Sequence, residues 1–342
     1  MKIVFLVINY MPHQLVSIQS LLQVEDVEVH SFQYREHPSA PKNVERFHVC
    51  SDHTLSKEEL LSRIRNIEPE MVVVAGWAVP KFVWVAKKIK KELKIPVVSY
   101  SDTQWLGTWR QRINTFISPF HIKKAFTHIW VAGIYQYEYA RRLGFKKHEI
   151  IFNALSCNVD LFNEVSIQKK RNQYPKNILF IGRFVEIKGL NLLLNAWKDI
   201  KNKNGWTLTL VGDGPLKESL SYNDDVFIKD YMPQSKLINE MQHAGCFVLS
   251  SKFEQWALVI HEAAAAGLPL VVTEKCGAAP HFVIDGYNGY RVGDDIKSIK
   301  QGLERIINAD IESLLNFSER SKELSNCVTP ELGTAELLSV LD

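Results

Sequence analysis

The sequence has few of the features that mark secreted, membrane-spanning or disulfide-stapled proteins. It has five cysteines in 342 residues, an odd number with no pair at metal-ligand or redox spacing, which excludes a disulfide scaffold and favours a reducing cytosol. The apolar run from Met71 to Ala86 is interrupted by Pro80 and Lys81 before it is long enough to cross a bilayer. The opening run, residues 3–8, is too short for the core of a signal peptide. We therefore expect a cytoplasmic protein without a transmembrane segment.

The net charge is small, +3, but it is unevenly distributed. Residues 1–163 carry 21 Lys and Arg against 15 Asp and Glu, and the remainder carries 20 against 23. Much of the basic excess lies in Lys81–Lys94, where apolar residues also recur at helical spacing. This helix either has a solvated basic face or rests on anionic lipid at the inner face of the cell membrane. The excess is modest and no recognition motif accompanies it, which argues against nucleic-acid binding.

Short β-branched and apolar runs alternate with longer periodic segments along the whole chain. This pattern predicts an α/β protein in which helices cover both faces of parallel sheets. Strands are predicted at Lys2–Ile8, Val27–Phe32, Met71–Ala75, Val97–Tyr100, His128–Val131 and Glu149–Phe152, then at Asn177–Ile181, Trp206–Val211, Val226–Ile228, Cys246–Ser250 and Leu270–Thr273. We expect two doubly wound, Rossmann-like domains facing across a cleft, residues 1–163 and 164–327. The polar stretch Val165–Lys176 is predicted to be a linker, and a helix within 328–342 to return to the first domain.

Two cations follow the first predicted strand of the second domain. Gly182-Arg183 ends this strand, and Lys188 comes five residues after the arginine, where a helix is predicted to begin. Such a loop either binds phosphate through its cations and free backbone N–H groups, or simply carries solvated charges.

Two glutamates flank the start of a further predicted helix. Glu254 lies in the loop before this helix and Glu262 about two turns into it. Each carboxylate can accept two hydrogen bonds, which suits the vicinal hydroxyls of a sugar. The alternative is an acid that complements the helix dipole and an ordinary surface glutamate.

Together these segments resemble the retaining glycosyltransferases of family 4, enzymes of the GT-B fold. Ile178 to Phe184, followed by Lys188-Gly189-Leu190, is similar to the donor-phosphate segment of that family, and Glu254 to Glu262 matches its E-x7-E motif. The motifs cover the second domain in the expected order, whereas in the first domain only the order of strands and helices is similar. The resemblance implies that Arg183 and Lys188 hold a diphosphate and that Glu254 binds the transferred sugar, so that these three are the catalytic residues. It further implies that the nucleotide is bound by Gly182, Met232, Ala257, Leu258, Val259 and Glu262.

The reaction implied by the resemblance is a hexosyltransferase-like transfer from a nucleoside diphosphate sugar, of UDP or GDP type, without a cofactor or a metal ion. The acceptor would be a glycan or a lipid-linked saccharide, in polysaccharide or glycolipid biosynthesis. The departing phosphate would take the proton of the acceptor on the same face, without a covalent intermediate. Two positions depart from the family: Asn9 to Gln14 replaces a glycine pair, and Ala257 replaces a glycine.

The first domain is expected to bind the acceptor. Asp102, at the carboxyl end of a predicted strand, either orients a sugar hydroxyl or caps a helix. Trp105 and Trp109, in a polar loop, are candidates for stacking on a sugar face. The imidazole of His13 is a candidate to replace the missing glycine contact with the donor phosphate. Two other functions stay open, a nucleotide-sugar epimerase of the same fold and an inactive nucleotide-sugar-binding scaffold.

Overall fold

The computed structural model describes residues 1–35, 41, 43–51, 54–220 and 223–341, and these form two α/β units. The first unit comprises Met1–Ser156 and Thr329–Asp342, and the second comprises Cys157–Val328. Every strand of each sheet runs parallel to its neighbours. The expectation of two doubly wound α/β domains is therefore confirmed.

The first unit is built on a seven-stranded sheet in the order β3-β2-β1-β4-β5-β6-β7. Its strands are β1 (Lys2–Val7), β2 (Glu28–Gln33), β3 (Phe47–Ser51), β4 (Met71–Ala75), β5 (Val97–Ser101), β6 (His128–Val131) and β7 (Ile150–Ile151). Its helices are α1 (Pro12–Gln23), α2 (Lys57–Ile67), α3 (Pro80–Glu92), α4 (Trp109–Ile117), α5 (Ile122–Ala125), α6 (Ile134–Arg142) and, at the end of the chain, α15 (Pro330–Leu338). One core contains side chains of α2 and α3, and the core on the opposite face contains side chains of α1 and α15.

The second unit has a six-stranded sheet in the order β10-β9-β8-β11-β12-β13. Its strands are β8 (Asn177–Ile181), β9 (Thr207–Val211), β10 (Val226–Lys229), β11 (Cys246–Leu249), β12 (Leu270–Thr273) and β13 (Gly289–Val292). Its helices are α7 (Val159–Asn163), α8 (Ile167–Asn172), α9 (Leu190–Lys198), α10 (Gln234–Gln242), α11 (Leu258–Ala265), α12 (Ala279–Phe282), α13 (Ile296–Ile307) and α14 (Ile311–Ser325). α9 packs on α13, and α11 packs on α14 and α7.

The prediction of a linker over Val165–Lys176 was wrong. The segment contains α8 and belongs to the second unit. Lys170 is buried, and its Nζ donates to the carbonyl oxygens of Met241 (3.0 Å) and Ala244 (2.8 Å) at the end of α10. Polar composition misled the prediction because a buried lysine is stable where carbonyl oxygens accept its hydrogen bonds.

The basic helix of the first domain is α3, and its apolar side is buried in the core (Phe82, Val83, Val85, Ala86 and Ile89). Two of its lysines bind backbone within the unit, since Lys81 Nζ donates to the Leu55 carbonyl and Lys90 Nζ to those of Lys123 and Phe126. Across the described ranges, no helix combines the length and the hydropathy needed to cross a bilayer.

Candidate active site

A cavity of about 670 Å³ opens at the carboxyl ends of β8 and β9 in the second unit. Gly182, Arg183 and Met232, all expected to bind the donor, line it together with Asp213 and Tyr231. Arg183 is exposed, so its charged guanidinium group is accessible to a ligand that enters this cavity. The carboxyl ends of parallel strands are where ligands bind in doubly wound sheets.

Glycine is required where the loops of this cavity meet. Gly212 has a φ of 155°, and a Cβ there would lie 1.9 Å from the carbonyl oxygen of Gly182. Gly189 has a φ of 67°, and a Cβ there would lie 2.1 Å from the carbonyl oxygen of Ser250. The Gly189 contact holds the loop that carries Lys188 against the end of β11, from which the loop to Glu254 departs.

Lys188 and Glu254 form an ion pair in which Lys188 Nζ donates to the Glu254 carboxylate. Ser251 Oγ donates to the same carboxylate oxygen at 2.7 Å. Both charged side chains are largely buried, with 15% and 16% of their surface exposed. The structure therefore joins two of the three residues expected to be catalytic into one charged cluster.

α11 begins at Leu258, four residues after Glu254. Ala257 is the residue before the first turn and has a left-handed backbone, with φ 76° and ψ 72°. Leu258 and Val259 follow as the first helical residues. The N–H groups of a first helical turn have no acceptor within the helix, and the helix dipole favours negative charge there. The backbone predicted to cradle phosphate thus forms the start of a helix, a place where anions commonly bind.

Glu262 is buried within α11, and Gln234 Nε2 donates to its carboxylate at 2.5 Å. Burial raises the pKa of Glu262 to about 7, although the hydrogen bond from Gln234 opposes this shift. A carboxyl group with such a pKa changes charge near neutral pH. Sequence reasoning missed Gln234, the first residue of α10, because no recognisable spacing connects it to the glutamates.

His261, beside Glu262, fixes α11 within the second unit. Its Nδ1 accepts from the backbone N–H of Cys157 (3.1 Å), its Nε2 lies 3.0 Å from the carbonyl oxygen of Ser325, and its ring stacks on Phe282. Burial lowers the pKa of His261 to about 4. The neutral ring is therefore a positioning group for the helix, with its Nε2 donating to Ser325.

A second cavity, of about 450 Å³, lies within the first unit at the carboxyl ends of β1, β4 and β5. It brings together His13 and Asp102, two of the four residues expected to contact sugar or acceptor. Burial lowers the pKa of His13 to about 4, and its ring is parallel to that of Tyr100. Asp102 keeps part of its surface exposed, and partial desolvation raises the pKa of its carboxyl group. A neutral imidazole and a carboxylate are both hydrogen-bonding groups for a polar ligand.

The two tryptophans do not line this cavity. The ring of Trp105 packs against Tyr139 and lies 4.6 Å from the guanidinium of Arg142. Trp109, by contrast, begins α4 and is 66% exposed. Neither Trp105 nor Trp109 therefore joins Asp102 in the wall of this cavity.

In the described part of the chain, three metal-ligating side chains gather in one place only, at Glu28, His30 and His48. These residues lie toward the amino ends of β2 and β3. Both cavities lie at carboxyl ends of strands, so this group belongs to neither. The expectation that transfer needs no metal stays a prediction.

Parts of the chain are similar in sequence to known glycosyltransferases. Residues 162–324 match the family model described as glycosyl transferases group 1. The amylovoran biosynthesis glycosyltransferase AmsD of Erwinia amylovora is 28% identical over 243 residues, 67% of this chain and 58% of that protein. The 2-deoxystreptamine N-acetyl-D-glucosaminyltransferase of Niallia circulans is 28% identical over 168 residues, 45% of this chain and 43% of that protein. The chain spans about half the length of the curated relatives it matches.

Solved structures resemble the whole chain in fold. HepE of Anabaena, in complex with UDP and glucose, has a TM-score of 0.73 at 14% identity and covers 99% of each chain. The sucrose-phosphate synthase of Thermosynechococcus elongatus has a TM-score of 0.76 at 17% identity, covering 99% of this chain and 98% of that one. Residues 162–324 of the second unit are thus similar to the group 1 glycosyl transferases, and the two parallel-sheet units have GT-B glycosyltransferases as structural neighbours.

Proposed function

We propose that the protein transfers a sugar from a nucleoside diphosphate sugar to a saccharide acceptor, with retention at the anomeric carbon and without a metal ion. The observation that carries this proposal is the arrangement of Arg183, the Lys188–Glu254 pair and the first turn of α11 around the strand ends of the second unit. Cations and free N–H groups recognise a diphosphate, and carboxylates recognise sugar hydroxyls.

In this proposal the diphosphate lies between the two cations and the start of α11. Negative charge builds on the leaving phosphate as the glycosidic bond breaks, and Arg183 and Lys188 stabilise it. The N–H groups of Leu258 and Val259 add to this stabilisation through the helix N-terminus. The charge that a metal ion supplies in other transferases is here supplied by side chains.

The two glutamates divide the recognition of the donor. Glu262, deep in the unit and oriented by Gln234, accepts hydrogen bonds from the ribose hydroxyls. Glu254, fixed by Lys188 and Ser251, accepts those of the transferred sugar. Holding the carboxylates by hydrogen bonds before the donor binds lowers the cost of ordering them. Gly182 and Met232 line the adjoining cavity and pack against the nucleotide.

The same-face mechanism uses the donor itself as the base. The acceptor hydroxyl attacks the anomeric carbon as the bond to the diphosphate breaks, and the departing phosphate oxygen takes the proton of that hydroxyl. Glu254 is engaged by Lys188 and Ser251, an environment for a hydrogen-bond acceptor rather than for a nucleophile that must form a glycosyl-enzyme intermediate.

The cavity of the first unit is the proposed site for the acceptor, with Asp102 orienting a hydroxyl and His13 contributing a neutral hydrogen-bonding group. A glycan or lipid-linked saccharide is the proposed acceptor class, and polysaccharide or glycolipid assembly the proposed context. The relative named for amylovoran biosynthesis supports this context.

The test is release of nucleotide from a panel of UDP and GDP sugars, each with and without saccharide acceptors. A transferase releases nucleoside diphosphate at a rate that rises with acceptor, and product NMR reports the anomeric configuration. The Glu254→Gln variant should lose turnover, whereas Glu323→Ala, an exposed glutamate of α14, should retain it. An epimerase would convert the sugar without net release, and a scaffold would bind without turnover; either result would reject the proposal.

A further inference from the structure

α4 has its apolar and polar sides reversed with respect to the core. Its only fully buried residue is Gln111, whose Nε2 donates to the Gln104 carbonyl and whose Oε1 accepts from the Leu106 N–H. Trp109, Ile113 and Phe116 are spaced so that they share the opposite side of the helix. An amphipathic helix of a globular protein normally directs its apolar side inward. α4 directs it to solvent.

The apolar side continues beyond the helix end into the turn Ser118–Phe120. The exposed fractions are high: 82% for Phe116, 78% for Phe120, 66% for Trp109, 51% for Leu106 and 49% for Ile113. We call these five residues the α4 surface. Exposed apolar side chains concentrated within fifteen residues of chain indicate an interaction site rather than the scattered exposure found on most proteins.

The charged residues of the segment that carries the α4 surface are all basic. Arg110 and Arg112 flank the apolar side of the helix, and Lys124 follows it; all three are exposed. From Thr103 to Tyr137 the sequence contains no aspartate or glutamate. An apolar stripe flanked by cations, with an aromatic ring among them, matches the interface of a bilayer that contains anionic lipid. A protein partner would not require the absence of acidic residues over so long a segment.

The inner side of the same helix borders the acceptor cavity of the first unit. Gln111 and Asn114 line that cavity with His13 and Asp102. Only the width of the helix, about 10 Å, therefore separates the α4 surface from the cavity proposed to hold the acceptor. A saccharide carried on a lipid would reach this cavity from the bilayer without leaving the interface.

We infer that the α4 surface docks the protein on anionic phospholipid membranes, so that the acceptor cavity receives a lipid-carried saccharide. The docking is inferred from the exposed apolar and basic side chains of this segment, whereas the delivery of the acceptor to the cavity rests on the proposed function. The basic helix α3 is not the docking element, because its apolar residues lie in the core.

The test is co-sedimentation of the full chain with vesicles of phosphatidylglycerol mixed into phosphatidylcholine, and with vesicles of phosphatidylcholine alone. The wild type should sediment with the anionic vesicles at physiological salt, and less so at high salt. The double variant Phe116→Ser/Phe120→Ser should bind at least tenfold more weakly. Ile311→Ser, which removes a half-exposed apolar residue from α14, should bind as the wild type does.

Three results would overturn the inference: a wild type that stays in the supernatant, a double variant that sediments normally, or loss of binding only on Lys87→Gln/Lys91→Gln in α3. A different result would assign the surface to self-association instead: the wild type is a dimer by light scattering, the double variant is a monomer, and the wild type does not bind vesicles. Calorimetric titration with a nucleotide sugar separates this test from the proposed function. The double variant should bind the nucleotide sugar with wild-type affinity. A wild type that binds vesicles but no nucleotide would support the docking and reject the proposed transferase function.

Discussion

Replacing Ala257 by glycine should stabilise the protein. A Cβ in the left-handed region, where Ala257 lies, costs about 1–2 kcal/mol. Removing the Cβ relieves this cost, but the substitution also loses about 0.4–1 kcal/mol of stability because glycine makes the unfolded chain more flexible. The net effect is a gain of about 0.5–1 kcal/mol in the free energy of unfolding, which for a unit of this size raises the Tm by about 1–4 °C.

The assay is scanning calorimetry of the full chain, with Ala335→Gly as the matched control. Ala335 is exposed in the ordinary helical backbone of α15, where the same substitution should lower stability by about 0.5–1 kcal/mol. Opposite signs for the two alanine-to-glycine changes are thus expected. If Ala257→Gly lowers the Tm as Ala335→Gly does, the left-handed backbone before α11, and with it the geometry of the phosphate cradle, is refuted.

Four further outcomes follow from the donor site. Lys188→Ala should lower turnover about 100-fold to 1,000-fold, the usual loss when one transition-state donor is removed. Lys252→Ala, the control nearby, should have little effect. Equal effects of the two substitutions would show that Lys188 has no catalytic role. Affinity for a nucleotide sugar should increase as pH rises through about 7, the raised pKa of Glu262, because the ionised carboxyl is the better acceptor for ribose hydroxyls, and Glu262→Gln should give a flat profile. The pH dependence of stability has the opposite sign. The raised pKa of Glu262 contributes stability that is fully present below the ordinary pKa of a glutamate and is lost as pH rises through 7. A wild-type free energy of unfolding that does not decline relative to that of Glu262→Gln as pH rises to 7 would contradict the burial of this carboxyl group. EDTA should leave turnover unchanged, and loss of activity that Mg²⁺ restores would disprove the metal-independent mechanism.

The sheets were largely predictable from the sequence because strands buried on both faces are continuous apolar runs. Two strands were missed, and each lacks that signal. β3 (Phe47–Ser51) mixes polar and apolar residues at a sheet edge, and β13 (Gly289–Val292) begins with glycine and includes Arg291. Edge strands pair on one side only, so their composition is less constrained.

The site was partly predictable for a different reason. Glu254 and Glu262 belong to one segment whose spacing is visible in the sequence, and Lys188 lies close to a strand end. Gln234 reaches Glu262 only through the packing of α10, and no local pattern reports such a contact. The exposure of the α4 surface was equally hidden, because periodicity shows that a helix has an apolar side but not the direction in which that side points.

We propose that the second unit binds a nucleoside diphosphate sugar through Glu262, Arg183 and Lys188. Isothermal titration calorimetry of the wild type, Glu262→Ala and the exposed-residue control Glu323→Ala with UDP and GDP sugars tests it most directly. We expect one site per chain for one of these nucleotides in the wild type and the control, and at least a tenfold weaker affinity in Glu262→Ala. Absence of binding at millimolar concentration in the wild type, or unchanged affinity in Glu262→Ala, would contradict it.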